Sequence, residues 1–412
     1  VRPVPDACGV RTGGFLRKDE TMKEIKLGMI GAATGAFLHL DAMKYIGGVP
    51  ITLKTLCYNR NRARAEEKQK EYGFESITDD YRTMLADPDV NVVDIVGTPL
   101  SHTAMIREAM EAGKDVICEK PLTGYLAKPD DPKPVGEKVS KAEMYCSVLA
   151  EMDALRPVVE KSGRRFYYAE NFVYAPSVQR SAELLCRKKS KILMMKAFFG
   201  MKGSSSPLAG DWAAFGGGCW YRNGVHPLGA ILYLKQREGR ARGENIYPVS
   251  VTADMGRVSQ ILTEEEHRHI NARPFDVEDN STVTITFSDG TKATIIMSDT
   301  VVGGSQNTID IFTNDGAMEC KLLISDELRT CFMDDHGIED VLISELNKEK
   351  IGWYNAFTTD AVSRGYVGEL RDFLTAIGED RSADLDFEFA YLVMKVTYGA
   401  YVAAETGNKF TF

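Results

Sequence analysis

No apolar run in the sequence reaches transmembrane length, so no segment reads as a membrane span and no membrane partner is expected. Basic residues are not in excess either. Fifty Lys and Arg against 59 Asp and Glu leave a net charge of −9, which argues against a nucleic-acid partner and against binding to an anionic lipid surface. The eight cysteines (Cys8, Cys57, Cys118, Cys146, Cys186, Cys219, Cys320, Cys331) are scattered and form no CxxC pair. They read as reduced, mostly buried thiols of a cytoplasmic protein, neither a disulfide frame nor a zinc site. Glu266-His267-Arg268-His269 is the one histidine-rich stretch; its spacing suits a solvated charged loop better than a metal, and no metal is expected. The first two dozen residues lack periodicity and the long apolar core of a secretory signal. Met22-Lys23-Glu24 looks like a natural start, so residues 1–24 are expected to be a disordered extension.

What is present is an ordinary globular chain. With 412 residues, 44% hydrophobic and 26% charged, it is long enough for two domains. The stretch Asp115-Val116-Ile117-Cys118-Glu119-Lys120-Pro121 organises the first. Val116-Ile117-Cys118 reads as a buried strand, and Pro121 stops it because proline cannot donate to a ladder. Glu119 and Lys120 are thereby delivered to the carboxyl edge of a sheet, where open α/β folds bind ligands. Upstream, Ile25 to Gly31 reads as a strand entering a tight turn, with Ala32-Ala33-Thr34-Gly35-Ala36 opening a helix. Strand, turn and helix start make a dinucleotide-binding context, in which Gly31, Ala33, Thr34 and Gly35 would meet a pyrophosphate. The spacing is Gly31-x-Ala33-x-x-Ala36, so the usual second glycine is missing. The next strand, Ile51 to Tyr58, ends at Asn59-Arg60 without the carboxylate that often binds the ribose of NAD. Asn59 can still bond a ribose hydroxyl, and Arg60 could stack on adenine or meet a 2′-phosphate, so NAD and NADP both remain open. Val92 to Gly97 is a third strand, broken at Thr98-Pro99, with His102 at the start of the helix that follows. Strands and helices alternate throughout, which predicts a parallel sheet.

The run GTPLSHTAMIREAMEAGKDVICEKPL (97–122) resembles the signature of the Gfo/Idh/MocA oxidoreductase family. Thr98-Pro99, His102 and Glu119-Lys120-Pro121 fall at that family's spacing. The resemblance implies an N-terminal Rossmann domain with a parallel sheet, here 25–172, and a C-terminal α/β domain with a large, mostly antiparallel, open-faced sheet, here 173–412. It implies that Thr98 and Pro99 line the cofactor cleft, with His102 and Glu119 also among the cofactor-binding residues, and that Lys120 meets substrate beside a nicotinamide. Asn171 and Tyr174 sit where similar proteins place substrate-facing residues. Residues 124–141 read as a loop insertion, a lid or a subunit contact.

In the second domain, Gly216-Gly217-Gly218-Cys219-Trp220-Tyr221-Arg222-Asn223-Gly224-Val225-His226-Pro227 is a glycine-rich loop running into an apolar helix. Gly224 and His226 match the family's glycine and catalytic histidine, while the family's common aspartate falls on Arg222. His226 is expected near a helix start and is assigned proton transfer. Arg222, a substrate-binding candidate, suggests a substrate with some anionic character. The activity implied is hydride transfer between a secondary carbinol of a sugar, cyclitol or glycoside and NAD or NADP, with Lys120 and His226 catalytic. Two alternatives are a glycosidase working by transient oxidation at tightly held NAD, and a non-catalytic sugar or nucleotide sensor. The small-molecule carbohydrate is the expected partner, and the open sheet face is expected to make a homo-oligomer.

Overall fold

The computed structural model describes residues 22–322, 328–336, 338–339, 351–356 and 360–412. Its strands are β1 (Ile25–Ile30), β2 (Ile51–Cys57), β3 (Ser76–Thr78), β4 (Val92–Ile95), β5 (Asp115–Glu119), β6 (Phe166–Ala169), β7 (Ile192–Gly200), β8 (Pro248–Gly256), β9 (Asn280–Phe287), β10 (Lys292–Ser298), β11 (Gln306–Thr313), β12 (Gly316–Lys321), β13 (Leu328–Phe332), β14 (Gly352–Ala356) and β15 (Phe410–Thr411). Its helices are α1 (Thr34–Met43), α2 (Arg62–Tyr72), α3 (Tyr81–Ala86), α4 (Pro99–Glu111), α5 (Val135–Lys138), α6 (Lys141–Lys161), α7 (Pro176–Lys188), α8 (Trp212–Phe215), α9 (Val225–Arg242), α10 (Asp360–Ser363), α11 (Tyr366–Gly378) and α12 (Phe387–Thr406). The chain divides into two compact units.

One unit runs to Asn171 and takes in Tyr366–Tyr398 as well. Its sheet has the order β3-β2-β1-β4-β5-β6, and every pairing in it is parallel. Strand order reverses between β1 and β4, the crevice at which such sheets take ligands. Val116, Ile117 and Cys118 are fully buried, as a strand covered on both faces must be. Local signals set the helix ends. Asn61 caps α2 by accepting from Arg64 N–H at 2.9 Å, and Gly73 closes it with φ 82°. Ser140 caps α6 through Glu143 N–H, with Glu143 in the first turn, an S-x-x-E start. The sequence expectation put α11 in the second domain; by contacts it belongs here, packed on α1. Residues 1–21 lie outside the described residues. Lys23 N–H donates to Gly378 O, the Lys23 amine meets Asp115, and Glu24 accepts from Thr52, so residues 22–24 are part of the fold and not of an extension. The 124–141 segment is also anchored. Tyr125 is buried, its N–H donates to the Tyr398 hydroxyl and its own hydroxyl to Asp131, and Val135 and Val139 are buried behind it.

The other unit comprises Phe172–Gly365, where described, and Gly399–Phe412. Its seven-stranded sheet has the order β12-β11-β7-β10-β9-β8-β15. The β7–β10 pairing is parallel and the others are antiparallel. Asp289-Gly290 makes the β9–β10 turn, with φ 83° at Gly290 and a Gly290 N–H to Phe287 O bond. Val283, Ile285, Ala293, Ile295, Ile309 and Ile311 are buried on one face; α7 and α9 pack on this sheet. Met194 and Phe312 are cross-strand partners and both are exposed. A two-stranded ribbon of β13 and β14 stands apart from the seven.

Candidate functional site

In the first unit the turn after β1 comes hard against β4. Gly31 has φ +123°, and a Cβ there would stand 2.7 Å from Val96 O. Only glycine meets both conditions. The turn feeds α1, whose N-cap is Ala33; no side chain caps that end and no acidic residue stands in its first turn. The N-terminus of α4, with Thr98 as N-cap and Pro99 at the first position, also lacks a side-chain cap to its amides and any acidic residue in its first turn. Two helix starts without a side-chain cap thus flank the switch point, an arrangement that favours a phosphate-bearing ligand. Asn59 and Arg60 are exposed beyond the end of β2. Beside them, a surface depression of about 520 Å³ is lined by Phe37, Asn61, Ala63, Arg64, Glu67 and Lys68. The Arg64 guanidinium and the Lys68 amine lie 4.6 and 4.5 Å from the Phe37 ring centre.

Lys120 follows β5 directly, is partly exposed, and begins a cis peptide to Pro121. Behind it is a buried polar cluster that spacing did not reveal. Glu119 accepts from the Lys120 N–H at 2.8 Å through Oε2, and its Oε1 lies 3.1 Å from His39 Nε2. His39 Nδ1 in turn lies 2.8 Å from Asp94 Oδ2. Both ring nitrogens face carboxylate oxygens, so both donate and the ring is an imidazolium. Burial opposes that charge, but the charge and hydrogen bond of Asp94, and then those of Glu119, raise the ring well above its ordinary value. Burial likewise works to raise Glu119, yet the bond and charge of His39 and the Lys120 charge leave it lowered. Glu119 was expected to bind cofactor; its carboxylate is occupied on both oxygens within the fold. His102, another expected cofactor contact, is fully buried, with ring nitrogens 3.1 Å from Pro121 O and 3.3 Å from Gly97 O. Burial lowers its affinity for a proton. It ties together the segments leaving β4 and β5, and so acts on the site through the backbone.

In the second unit, His226 does not stand at a helix start. A π-helical turn, Trp220–Gly224, runs straight into α9, so the ring is carried inside a continuous helix and the N-terminal dipole argument lapses. His226 is 4% exposed and meets Phe172 edge-on, ring centres 4.6 Å apart. Arg222, one turn earlier, donates to Asp299, with side chains 11% and 2% exposed. The internal space that Arg222, Glu278, Asp279 and Asp299 help to line is about 20 Å³, too small for a sugar ring. An anionic substrate held by Arg222 therefore loses its support: the guanidinium already has its anion. Glu278, also missed in the sequence, anchors the glycine-rich loop. It accepts from Trp220 N–H and the Tyr401 hydroxyl, both at 2.8 Å, and burial pushes its carboxyl up to about 7. Asn171 is buried and Tyr174 partly exposed in the 3-10 turn Asn171–Tyr174. His267 is buried with Nε2 2.7 Å from Ser259 O, and no group of three or more metal-ligating side chains occurs among the described residues. No helix among them is long and apolar enough to cross a membrane.

Comparison with known proteins agrees with this architecture. Residues 25–149 match the family model described as "Oxidoreductase family, NAD-binding Rossmann fold", and residues 190–319 match the "GFO/IDH/MocA C-terminal domain". Together the two cover more than half of the chain. The chain belongs to the Gfo/Idh/MocA family. Among its relatives, levoglucosan dehydrogenase of Pseudarthrobacter phenanthrenivorans is 33% identical over 114 residues, 26% of this chain and 29% of the relative. The scyllo-inositol 2-dehydrogenase (NAD(+)) of Bacillus subtilis is 30% identical over 125 residues, 30% of this chain and 35% of the relative. A glycosyl hydrolase family 109 protein of Shewanella is 33% identical over 129 residues, 30% of this chain and 28% of the relative. The chain thus spans about three tenths of the length of these curated relatives. Among solved structures, GenD2 from gentamicin A biosynthesis, in complex with NAD, superimposes with a TM-score of 0.74 at 20% identity, over 97% of this chain and 99% of that one. At that identity the likeness shows the fold alone, over nearly the whole length of both chains.

Proposed function

We propose that this chain is a nicotinamide-dependent dehydrogenase oxidising a secondary carbinol of a sugar, cyclitol or glycoside. The observation that carries the reading is Lys120. It stands at the carboxyl end of β5, next in the sheet to β4, whose end and that of β1 carry the two helix starts that no side chain caps. Gly31, Ala33, Thr34 and Gly35 hold the pyrophosphate, Asn59 and Arg60 the adenosine ribose, and Thr98 and Pro99 the wall beside the nicotinamide. When bound, the nicotinamide supplies the hydride acceptor. Lys120 hydrogen-bonds the reacting oxygen and stabilises its developing negative charge. The family resemblance assigns the hydroxyl proton to His226 and the orienting of substrate to Asn171 and Tyr174. Levoglucosan and scyllo-inositol, named in its relatives, are the first substrates to try, and exposed Met194 and Phe312 favour association of copies through the second sheet.

Calorimetric titration with NAD and NADP, followed by a polyol panel, tests the reading. Lys120→Met should bind NAD as the parent does and lose turnover by about a thousandfold. A Lys120→Met protein with parental turnover would overturn the assignment.

A second reading has one observation in its favour, the match to glycosyl hydrolase family 109 proteins. Aryl glycosides separate the two. Stoichiometric reduced cofactor marks the dehydrogenase, and aglycone release without it marks the glycosidase.

A further inference from the structure

The buried cluster behind Lys120 exceeds what holding a strand end requires. Strand β5 is already paired on both sides, by β4 and β6, and its apolar residues are fully buried. A hydrophobic replacement of the cluster would serve a sheet as well or better, since buried ion pairs seldom exceed well-packed apolar groups in stability. Yet four elements converge on this point. Helix α1 brings His39, β4 brings Asp94, β5 brings Glu119, and α11 brings Glu369. His39, Asp94 and Glu369 are 0% exposed.

We propose that His39, backed by Asp94, is a positioning residue for Lys120 and acts through the Glu119 carboxylate. The chain of contacts is continuous. Asp94 Oδ2 meets His39 Nδ1, His39 Nε2 meets Glu119 Oε1, and Glu119 Oε2 receives the Lys120 amide proton. That last bond fixes the backbone from which the Lys120 side chain departs. The same carboxylate feels the charge of Lys120, so its orientation also bears on the amine electrostatically. Outer-sphere groups of this kind orient the group that touches substrate and set its proton affinity. The inference rests on Lys120 being the residue at the reacting oxygen, but its physical content, the control of Lys120 by His39, can be read without turnover.

The charges facing His39 define the device. Asp94 and Glu119 bind it directly. Glu369 and Glu170 add carboxyls from beyond, and the Cys118 thiol lies within reach of Asp94 and Glu119. The Tyr366 ring stands 6.0 Å from the imidazole. Neither oxygen of Glu369 has a hydrogen-bond partner among the described residues. Burial first, opposed by His39 and reinforced by Glu119, Glu170 and Asp94, raises its carboxyl well above the ordinary value. Burial thus works against a charge on Glu369, and the His39 imidazolium is shared between Asp94 and Glu119.

The test is competitive labelling of the full-length protein with acetic anhydride across pH, read lysine by lysine in the mass spectrometer. It reports the titration of the Lys120 amine itself. His39→Gln removes the cation. Asp94→Asn keeps the shape, and stands in should His39→Gln fail to fold by circular dichroism. Either change should move the Lys120 midpoint by about half a pH unit or more. The midpoint of Lys44, 52% exposed at the end of α1, should stay fixed, and NAD affinity should remain within about twofold. A Lys120 midpoint unmoved in a folded variant overturns the inference. Full turnover by Lys120→Met would instead overturn the dehydrogenase reading while leaving the labelling result to stand on its own.

Discussion

Asp299 binds the guanidinium of Arg222, and both side chains are almost wholly inside the protein. Burial, the larger influence, pushes the Asp299 carboxyl up, and Arg222 pulls it back. The pair is a strut under the π-helical turn that leads to His226. Arg222→Met leaves a buried carboxylate without its counter-ion, and should cost about 3–5 kcal/mol of stability. The double variant Arg222→Met with Asp299→Leu should recover most of that loss, because it removes both charges. Urea unfolding of the four proteins in the cycle measures it. A single variant within about 0.5 kcal/mol of the parent would show that the pair holds nothing.

Glu278 makes the second unit pH-sensitive. Its folded-state value of about 7 lies above the ordinary 4.5, so between those limits the folded protein holds more protons than the unfolded chain. The stability from this group is fully present below the unfolded value and is lost as pH rises through about 7. Glu278→Gln keeps an acceptor for Trp220 and Tyr401 but cannot ionise. Measured against the parent, its relative stability should therefore improve by ~2.5 kcal/mol between pH 5 and pH 8. Parallel stability curves for the two proteins over that range would remove Glu278 as the sensor.

The way Lys120 is presented could be read directly from the sequence, because each step is local. An apolar β-branched run makes the strand, the proline after it ends the strand, and the lysine stands between. The alternation that forces a parallel sheet is local in the same sense. His39 is 80 residues from Glu119 and 55 from Asp94. Arg222 is 77 residues from Asp299, and Trp220 is 58 from Glu278. Such pairs arise from tertiary packing and leave no periodic trace, so Glu119 and Arg222 looked available for ligands although the fold had already engaged them. His226 was misjudged for a related reason. Glycines signalled a loop up to Gly224, whereas the backbone from Trp220 onward is already wound as a π-turn. The placement of α11 beside α1 has the same origin, since an amphipathic helix does not announce which sheet its apolar stripe will cover.

Gly31 and Gly35 stand four residues apart and should respond differently to alanine. At Gly31 the added methyl meets Val96 O at 2.7 Å and the backbone has φ +123°, so Gly31→Ala should lose at least ~2 kcal/mol of stability. At Gly35 the nearest atom to an added Cβ is a Val96 methyl at 3.6 Å, an ordinary contact. Gly35→Ala lies within α1 and should keep or slightly raise the melting temperature, since alanine favours helix over glycine by about 1 kcal/mol. Loss of NAD affinity in Gly35→Ala with stability intact would then report on the ligand and not on the fold. Equal stability losses in the two variants would contradict the assignment of Gly31 as the residue of close approach.

In the proposed reading the end of β2 selects between the two nicotinamide cofactors. An acidic residue there would bond the ribose hydroxyls of NAD and repel a 2′-phosphate. This chain has Asn59 and Arg60 instead, both exposed, and Arg64 lies over Phe37 nearby, while the Lys68 amine on the same ring is paired with Glu71. In the proposed reading, exposed Arg60 is the residue that meets a 2′-phosphate of NADP. Arg60→Ala should therefore weaken NADP by about tenfold, equivalent to ~1.4 kcal/mol, and change NAD by less than about twofold. Arg60→Asp should go further, because it restores the repulsion that the sequence lacks. Calorimetry with each cofactor, at low and at high salt, separates a phosphate contact from a stacking one. A contact to phosphate weakens as salt rises, whereas stacking of Arg60 on adenine would lower both affinities equally and respond little to salt.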